Sequence, residues 1–317
     1  MSEKAREVVE IGGRVLTVSN LDKIMWPNEN ITKAHLIKYY LDLAPVLLPY
    51  IRNRPLVLKR YPDGIEGNFF YQKECPEYAP DWVETYSVRH ARKVINYIVC
   101  NDTPTLAWMA GQGCLEIHAW LSRMDAIDCP DLAVFDLDPA EGVPFSAVKQ
   151  VALIVRSVLE QFGITGFPKT SGSSGMHVFI PLEANYTFPR VTAAMKYLAE
   201  LILRAYPDLV TVERSKAKRK GKVYLDYLQN GRGKTMAFPY SLRPLPGAPV
   251  STPLTWDEVE YQDFNHACYN MQNISQRINR FGDPYSDIFQ ARQDLDRLFN
   301  VLSPVRFGIS DVDSVRL

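Results

Sequence analysis

Apolar residues recur along this chain either at helical spacing or in short unbroken runs, and the order in which the two patterns alternate predicts the architecture. From Thr32, a residue that can cap a helix, Leu36, Tyr40, Leu43 and Leu47 fall on one helical face, and the pattern predicts a helix ending near Pro49. A short strand, Leu56-Val57-Leu58-Lys59-Arg60-Tyr61, then meets a Pro62-Asp63-Gly64 turn. The segment from Asn68 to Trp82 is aromatic and proline-rich, which predicts an irregular loop pinned to the core by Phe69, Phe70, Tyr71 and Tyr78. The apolar run Leu132-Ala133-Val134-Phe135 predicts a strand. Val148, Val151, Ala152, Val155, Val158, Leu159 and Phe162 predict a helix after it, closed by Gly163. A strand over 178–182, a helix carrying Val191, Ala194, Met195, Leu198, Leu201, Ile202 and Ala205, and a strand holding Asp226 extend the series. Strands alternating with helices predict a mixed-sheet α/β (α+β) fold. The proline-rich stretch from Arg243 to Pro253 predicts an extended connector, and residues 303–317 a weakly ordered tail after a single domain over 1–302.

Composition narrows the classes. With 317 residues, 46% of them hydrophobic, the chain can bury a substantial core. Lys+Arg and Asp+Glu both total 36, so no global field attracts a polyanion and any nucleic-acid surface has to come from local segregation of charge. The stretch Glu213–Lys222 shows it, with Arg214, Lys216, Lys218, Arg219, Lys220 and Lys222 against a single acidic residue; by default such a run is a solvated hairpin, and its functional reading is binding to a phosphate backbone. The five cysteines show no C-x-x-C pair, and their odd number argues against a disulfide framework. The N-terminus has no signal-peptide apolar core, and no stretch approaches the roughly 20 apolar residues of a membrane span. A cytoplasmic protein without membrane contact is expected.

The chemistry concentrates on carboxylates. Asp136 and Asp138 close the apolar run, and on a strand residues i and i+2 share a face about 7 Å apart, so both can converge on divalent cations. Asp226, flanked by Leu225 and Tyr227, is read as mid-strand, where an ionised carboxylate needs a cation or a donor; a nearby Lys or Arg would also serve. Such sites run phosphoryl or nucleotidyl transfer. Ser171-Gly172-Ser173-Ser174-Gly175-Met176-His177 offers small residues, hydroxyls and backbone amides suited to phosphate oxygens, but lacks the spacing of a Walker A loop; as a bare pattern it also fits a flexible turn. His177 beside it and His118, flanked by apolar residues, each fit a core histidine as well as a ligand-binding one. The Phe69-Phe70-Tyr71 cluster fits core packing or base stacking.

Taken together, Val134-Phe135-Asp136-Leu137-Asp138-Pro139, Lys169-Thr170-Ser171-Gly172 through His177, Leu225-Asp226-Tyr227-Leu228-Gln229-Asn230, Lys234-Thr235 and Pro239-Tyr240-Ser241-Leu242-Arg243 resemble the polymerase domain of ligase D. That family belongs to the archaeo-eukaryotic primase superfamily, and the likeness runs from Leu21 to about Leu302. It implies a primase-type catalytic core with mixed sheets flanked by helices, and an N-terminal DNA-end-binding portion over about 1–100. It further implies extension of DNA ends with NTPs or dNTPs in non-homologous end joining, typically with ribonucleotides and Mn2+ (or Mg2+). By the resemblance, Asp136, Asp138 and Asp226 hold the metals, and His118, Ser171, His177, Lys234 and Arg243 hold the incoming nucleotide. Lys59 and Arg219 match basic positions near nucleotide or DNA. Lys23 and Lys33 match a pair that grips the 5′-phosphate of a broken end, and Phe70-Tyr71-Gln72-Lys73 matches a template-stacking aromatic pair with its following lysine. Ku and a DNA ligase are the implied partners, and a nucleoid-associated location follows. Two departures stand out: Tyr71 where many relatives carry a second Phe, and Ser173-Ser174 where many carry a basic residue between the glycines.

No ligase nucleophile is present in the string that comes nearest to K-x-D-G, because Tyr61 stands at the lysine position of Tyr61-Pro62-Asp63-Gly64. The rival readings are a primer-independent primase, a non-catalytic DNA-end tether and a metal-dependent nuclease or phosphoesterase. Three carboxylates near phosphate would only repel in a tether, and the nucleotide loop and scarcity of histidine disfavour the last.

Overall fold

The structure, a computed structural model, describes residues 6–302; the predicted tail lies outside the described residues. Two sheets organise it. Thr235–Ala237, Cys114–Trp120, Leu56–Arg60, Val94–Ile98 and Thr85–Arg89 lie side by side in that order, and Phe70–Gln72 adds to the Leu56–Arg60 strand. In the second sheet the order is Phe167–Thr170, Met176–Pro181, Leu132–Pro139, Val223–Asp226, Val210–Thr211, antiparallel except for the last, parallel pair. With the helices packed on them, these sheets form the mixed α/β arrangement that the alternating pattern predicts.

The Leu132–Pro139 strand is the wall between two cores. Its continuous apolar run is what a strand buried on both faces requires. Leu132 and Val134 belong to a cluster that includes Leu56, Ile117, Ala119 and Trp120 of the first sheet. Ala133, Phe135 and Leu137 point the other way, into a cluster with Val148, Val151, Ala152 and Val155 of the Phe145–Gln161 helix and Val191, Met195 and Leu198 of the Phe188–Ala205 helix. Because strand side chains alternate, Asp136 and Asp138 share the face of Leu132 and Val134. Parity alone therefore aims both carboxylates at the seam between the sheets.

Four expectations need correction. The first helix spans Lys33–Ile51, with Thr32 capping it reciprocally with His35, and passes through Pro45 and Pro49. Both prolines lie on its exposed side, where water can satisfy the carbonyls they leave unpaired, while Tyr50 and Ile51 beyond them are buried. Each helix-interior proline costs ~3 kcal/mol, about 6 for the two, and burying Tyr50 and Ile51 returns roughly 3–6 kcal/mol of it.

The 68–82 segment is not a loop pinned by its rings. Phe70–Gln72 forms a strand, and Phe69, Phe70, Tyr71 and Tyr78 are all exposed. Cations from the neighbouring strand support these rings at the surface: Lys59 Nζ lies 4.5 Å from the Phe69 centroid, and the Arg60 guanidinium 5.2 Å from that of Phe70.

The 243–253 stretch folds back rather than running extended. Leu242 bridges Val250, Arg243 N donates to Pro249 O, and Ser251 N donates to Ser241 O. Finally, Asp226 is the last residue of its strand, not a mid-strand one, and its Oδ1 accepts a hydrogen bond from Leu228 N at 3.0 Å, capping the short helical turn that follows.

Candidate active site

Cross-strand register builds one row of side chains on the seam face of the second sheet. Lys169 pairs with His177, His177 with Asp136, and Asp136 with Asp226. Residues directly opposed on antiparallel strands point to the same face, so all four side chains rise together. Asp138 follows Asp136 two residues on and is directly opposed to Tyr224.

The row is electrostatically strained. Burial, then the charges of Asp138 and Asp226, push the Asp136 carboxyl up to about 7, with Lys169 and Arg243 opposing. Burial, reinforced by the Arg243 charge and opposed by Asp136, pulls the Lys169 ammonium well below its usual range; its Nζ is held by Ser251 Oγ and the Thr170 carbonyl. Burial and the charges of Lys169, Arg243 and His118 also hold the His177 imidazole well below its usual value. His177 Nε2 lies 3.4 Å from Asp136 Oδ1.

Three carboxylates forced together are a hard-oxygen donor set, and a divalent cation is the charge that would relieve their repulsion. As the side chains stand, protein donors engage two of them: Arg219 Nη1 donates to Asp138 Oδ2 at 2.9 Å, and the Leu228 amide binds Asp226. Among the described residues no three acidic, histidine or cysteine groups close into a ready-made metal cluster. The residues fit the ion by charge and donor type, with Asp138 and Asp226 exchanging their present partners for it.

Orphan atoms point the same way. His177 Nδ1, Arg219 Nε and Arg243 Nε are buried with no hydrogen-bond partner. Nitrogens left unpaired beside acidic residues and a serine loop are what an anionic ligand would satisfy.

The Ser171 loop is a hairpin turn between Phe167–Thr170 and Met176–Pro181. Ser171 Oγ accepts hydrogen bonds from Ser173 N at 3.0 Å and Gly175 N at 3.2 Å, so two of the amides expected to face phosphate are already engaged by the serine. The glycines are steric necessities. A Cβ on Gly175 would lie 2.3 Å from the Leu137 carbonyl oxygen, and Gly172, at φ +70°, would meet Arg243 Cγ at 2.7 Å.

A second row stands on the first sheet. Tyr71 pairs with Lys59, and Lys59 with Glu116. Glu116 is 1% exposed; its Oε1 accepts from Lys59 Nζ at 2.9 Å, and its Oε2 lies 2.7 Å from His118 Nε2 and 3.4 Å from Arg243 Nε. Arg243 Nη1 donates to the Ser171 carbonyl at 2.6 Å, which ties this row to the loop. The Tyr71 ring stands edge-on to His118, centroids 6.0 Å apart. Burial would push the Glu116 carboxyl up, but the His118 hydrogen bond, the Arg243 and His118 charges and the Lys59 hydrogen bond outweigh it and pull it down to about 2.

Ten of the fifteen predicted site residues thus meet at or beside the seam: Asp136, Asp138, Asp226, His177, Ser171, Arg243, His118, Lys59, Tyr71 and Arg219. Phe70 adjoins Tyr71 on the exposed strand edge. Lys234 is exposed, one residue ahead of the strand whose Ala237 pairs with His118. Lys73 is exposed on the side of His90, Lys93 and Arg232. Lys23 and Lys33 flank a separate hairpin, Ile24–Trp26 against Ile31–Thr32, and are joined by a hydrogen bond from Lys33 N to Lys23 O; Lys23 Nζ also binds Asp63 Oδ1 at 2.7 Å, and Lys33 Nζ the Ser19 carbonyl at 2.8 Å.

Sequence reasoning missed Glu116 and Lys169. Glu116 was findable, since Glu-x-His obeys the same i, i+2 rule applied to the aspartates. Lys169 heads the Lys169-Thr170-Ser171-Gly172 motif, but nothing in the sequence marks 167–170 as a strand that would bring it into the row.

The family comparison decides what this geometry belongs to. Residues 32–285 match the model of the LigD primase-polymerase domain. The chain belongs to the LigD primase-polymerase family. It is therefore a nucleotidyltransferase-type domain with the fold of that family. It is similar to the multifunctional non-homologous end joining protein LigD of Mycolicibacterium smegmatis, 35% identical over 84% of this chain and 35% of that protein. It is also similar to the bifunctional LigD of Bacillus subtilis, 36% identical over 88% of this chain and 45% of that protein. The chain thus spans less than half the length of these curated relatives. Among solved structures, the polymerase domain of Mycobacterium tuberculosis ligase D in complex with DNA superposes with a TM-score of 0.83 at 33% identity, covering 88% of this chain and 99% of that one.

Proposed function

We propose that this LigD-type domain extends DNA ends and fills gaps in a template-directed manner during non-homologous end joining, with NTPs as the favoured substrates. The observation that carries the reading is the row Lys169–His177–Asp136–Asp226, three strand pairings that put an acidic cluster beside a basic one on a single face. In this reading residues 1–302 act as one polymerase domain, with the N-terminal portion of about 1–100 meeting the DNA end.

Asp136, Asp138 and Asp226 would hold the divalent cation, Mn2+ or Mg2+. Such an ion supplies charge neutralisation at the reacting phosphate and acidifies the attacking hydroxyl. His177, Ser171, Arg243, His118, Lys59, Arg219 and Lys234 bind and orient the incoming nucleotide. The orphan nitrogens of His177 and Arg219 meet phosphate oxygens, and preorganised groups of this kind cost little reorganisation when charge develops. Exposed Phe70 and Tyr71 stack on template bases, with Lys73 beside them on the DNA. Lys23 and Lys33, neighbours through their backbones, receive the 5′-phosphate of the break. Ku and a DNA ligase are the partners this role requires.

The test is incorporation on a gapped, 5′-phosphorylated duplex with Mn2+, supplying each NTP and dNTP alone, beside a primer-free template. Templated addition at the primer, with ribonucleotides preferred, is expected. De novo products on the primer-free template would move the protein to the primase reading, and absence of any addition would leave DNA-end tethering.

A further inference from the structure

Glu116 is a buried anion inside an array that the proposed function assigns to a polyanionic substrate, and charge alone argues against its presence there. A carboxylate that close to a triphosphate repels it, and burying an ionised carboxylate costs several kcal/mol unless donors surround it. Donors do surround it. Lys59 from the neighbouring strand and His118 from two residues along the same strand bind its two oxygens at 2.9 and 2.7 Å, and the Arg243 guanidinium from the folded-back segment forms an ion pair without a hydrogen bond, its Nε 3.4 Å from Oε2. Arg243 then reaches across the seam to the Ser171 carbonyl at 2.6 Å. The string Lys59–Glu116–Arg243–Ser171 is a polar bridge from one sheet to the loop of the other.

We infer that Glu116 is a positioning residue: it fixes Lys59, His118 and Arg243 in one array and ties that array to the Ser171 loop before substrate arrives. The inference rests on reading the array as the nucleotide site. Lysine and arginine side chains lose as much as ~2 kcal/mol of rotamer freedom each when ordered, and a substrate that met them already ordered would not bear that cost. The geometry matters more than the charge. A carboxylate's two oxygens bind Lys59 and His118 while still facing the Arg243 guanidinium at ion-pair distance, whereas an amide offers one acceptor oxygen and turns an NH2 group toward the remaining cations.

The experiment is binding of mant-ATP with Mg2+ by fluorescence, together with single-nucleotide incorporation kinetics, on parent, Glu116→Gln and Glu116→Asp proteins whose melting curves are compared. Gln keeps the shape and loses the charge; Asp keeps the charge and withdraws it by one methylene. A positioning role predicts that both variants raise Kd and KM by about tenfold while kcat changes by less than about threefold. In a Lys59→Met background the effect of Glu116→Gln should shrink, since one of the groups it positions is gone. A charge-offsetting role predicts the reverse pattern, tighter binding for Gln and parent-like binding for Asp, and either result overturns the inference. A parent protein that binds no mant-ATP at all overturns the nucleotide-site reading beneath it, so the two failures are distinguishable. If Glu116→Gln melts far below the parent, the Asp variant alone decides between the roles.

Discussion

Asp136 and Asp226 are direct partners across the ladder between the Leu132–Pro139 and Val223–Asp226 strands, each the continuation of a buried apolar run. Their pairing fixes the separation of two like charges by backbone register rather than by flexible side chains. A third charge, Asp138, is set by the same strand. The protein holds in place a repulsion that a bound cation or a proton would relieve; burial first, and then this repulsion, lift the Asp136 carboxyl to about 7.

The exposed ring pair gives a prediction that separates binding from folding. Phe70 and Tyr71 are 44% and 54% exposed, so truncating either should leave the melting temperature nearly unchanged. Base stacking is worth about 1–3 kcal/mol, so Phe70→Ala or Tyr71→Ala should weaken binding of a single-stranded template overhang by roughly 5- to 150-fold. Fluorescence anisotropy with a labelled overhang measures it; unchanged affinity in both variants would return the rings to a merely structural role.

Much of this site is legible in the sequence because strand periodicity is strict. Once 132–135 is read as a strand, the parity of Asp136 and Asp138 follows, and the structure adds only that their face looks into the seam. The helices of the second core are equally legible, since Val148–Leu159 and Val191–Ile202 each mark one buried stripe. Legibility fails where tertiary burial outvotes local chemistry. Pro49 predicts a helix end, but the buried Tyr50 and Ile51 carry the helix past it. It fails again where a pairing partner is remote: nothing local says that Phe70–Gln72 lies on Leu56–Arg60, or that Arg243 turns back to Glu116 and Ser171.

The Lys23–Lys33 pair predicts end selectivity. Replacing both with alanine should bring extension of 5′-phosphorylated gaps down to the level of 5′-hydroxyl gaps while leaving activity on the hydroxyl substrate unchanged. Extension rates on the two matched substrates decide it, and a parent that uses both equally well removes the assignment.

The basic run predicts salt behaviour. Lys216, Lys218 and Lys220 are exposed, and in a chain of zero net charge such local segregation is what can meet a DNA backbone. Each lysine–phosphate pairing removed should reduce the slope of log K against log salt concentration by about 0.9 for duplex DNA. Changing all three to glutamine and titrating DNA binding across salt concentrations tests this; an unaltered slope would place the run away from the DNA.

Glu116 also predicts acid sensitivity. Its carboxyl is pulled from an ordinary value of 4.5 to about 2, so its contribution is fully present above 4.5 and is lost as pH falls toward 2. At neutral pH the shift corresponds to on the order of 3 kcal/mol of folding stability. The parent should therefore melt above Glu116→Gln at pH 7, and the gap should narrow steadily between pH 4.5 and pH 2. A gap independent of pH would mean that the carboxylate is not ionised in the fold.

The most direct measurement for the carboxylate site is single-nucleotide addition to a gapped, 5′-phosphorylated DNA by the parent, Asp136→Ala and Asp226→Ala proteins, with DNA affinity determined for each. Abolished addition in both variants with DNA binding retained is the predicted result. Addition at the parent rate by Asp226→Ala would contradict it, because the partner across the ladder would then have no part in the chemistry.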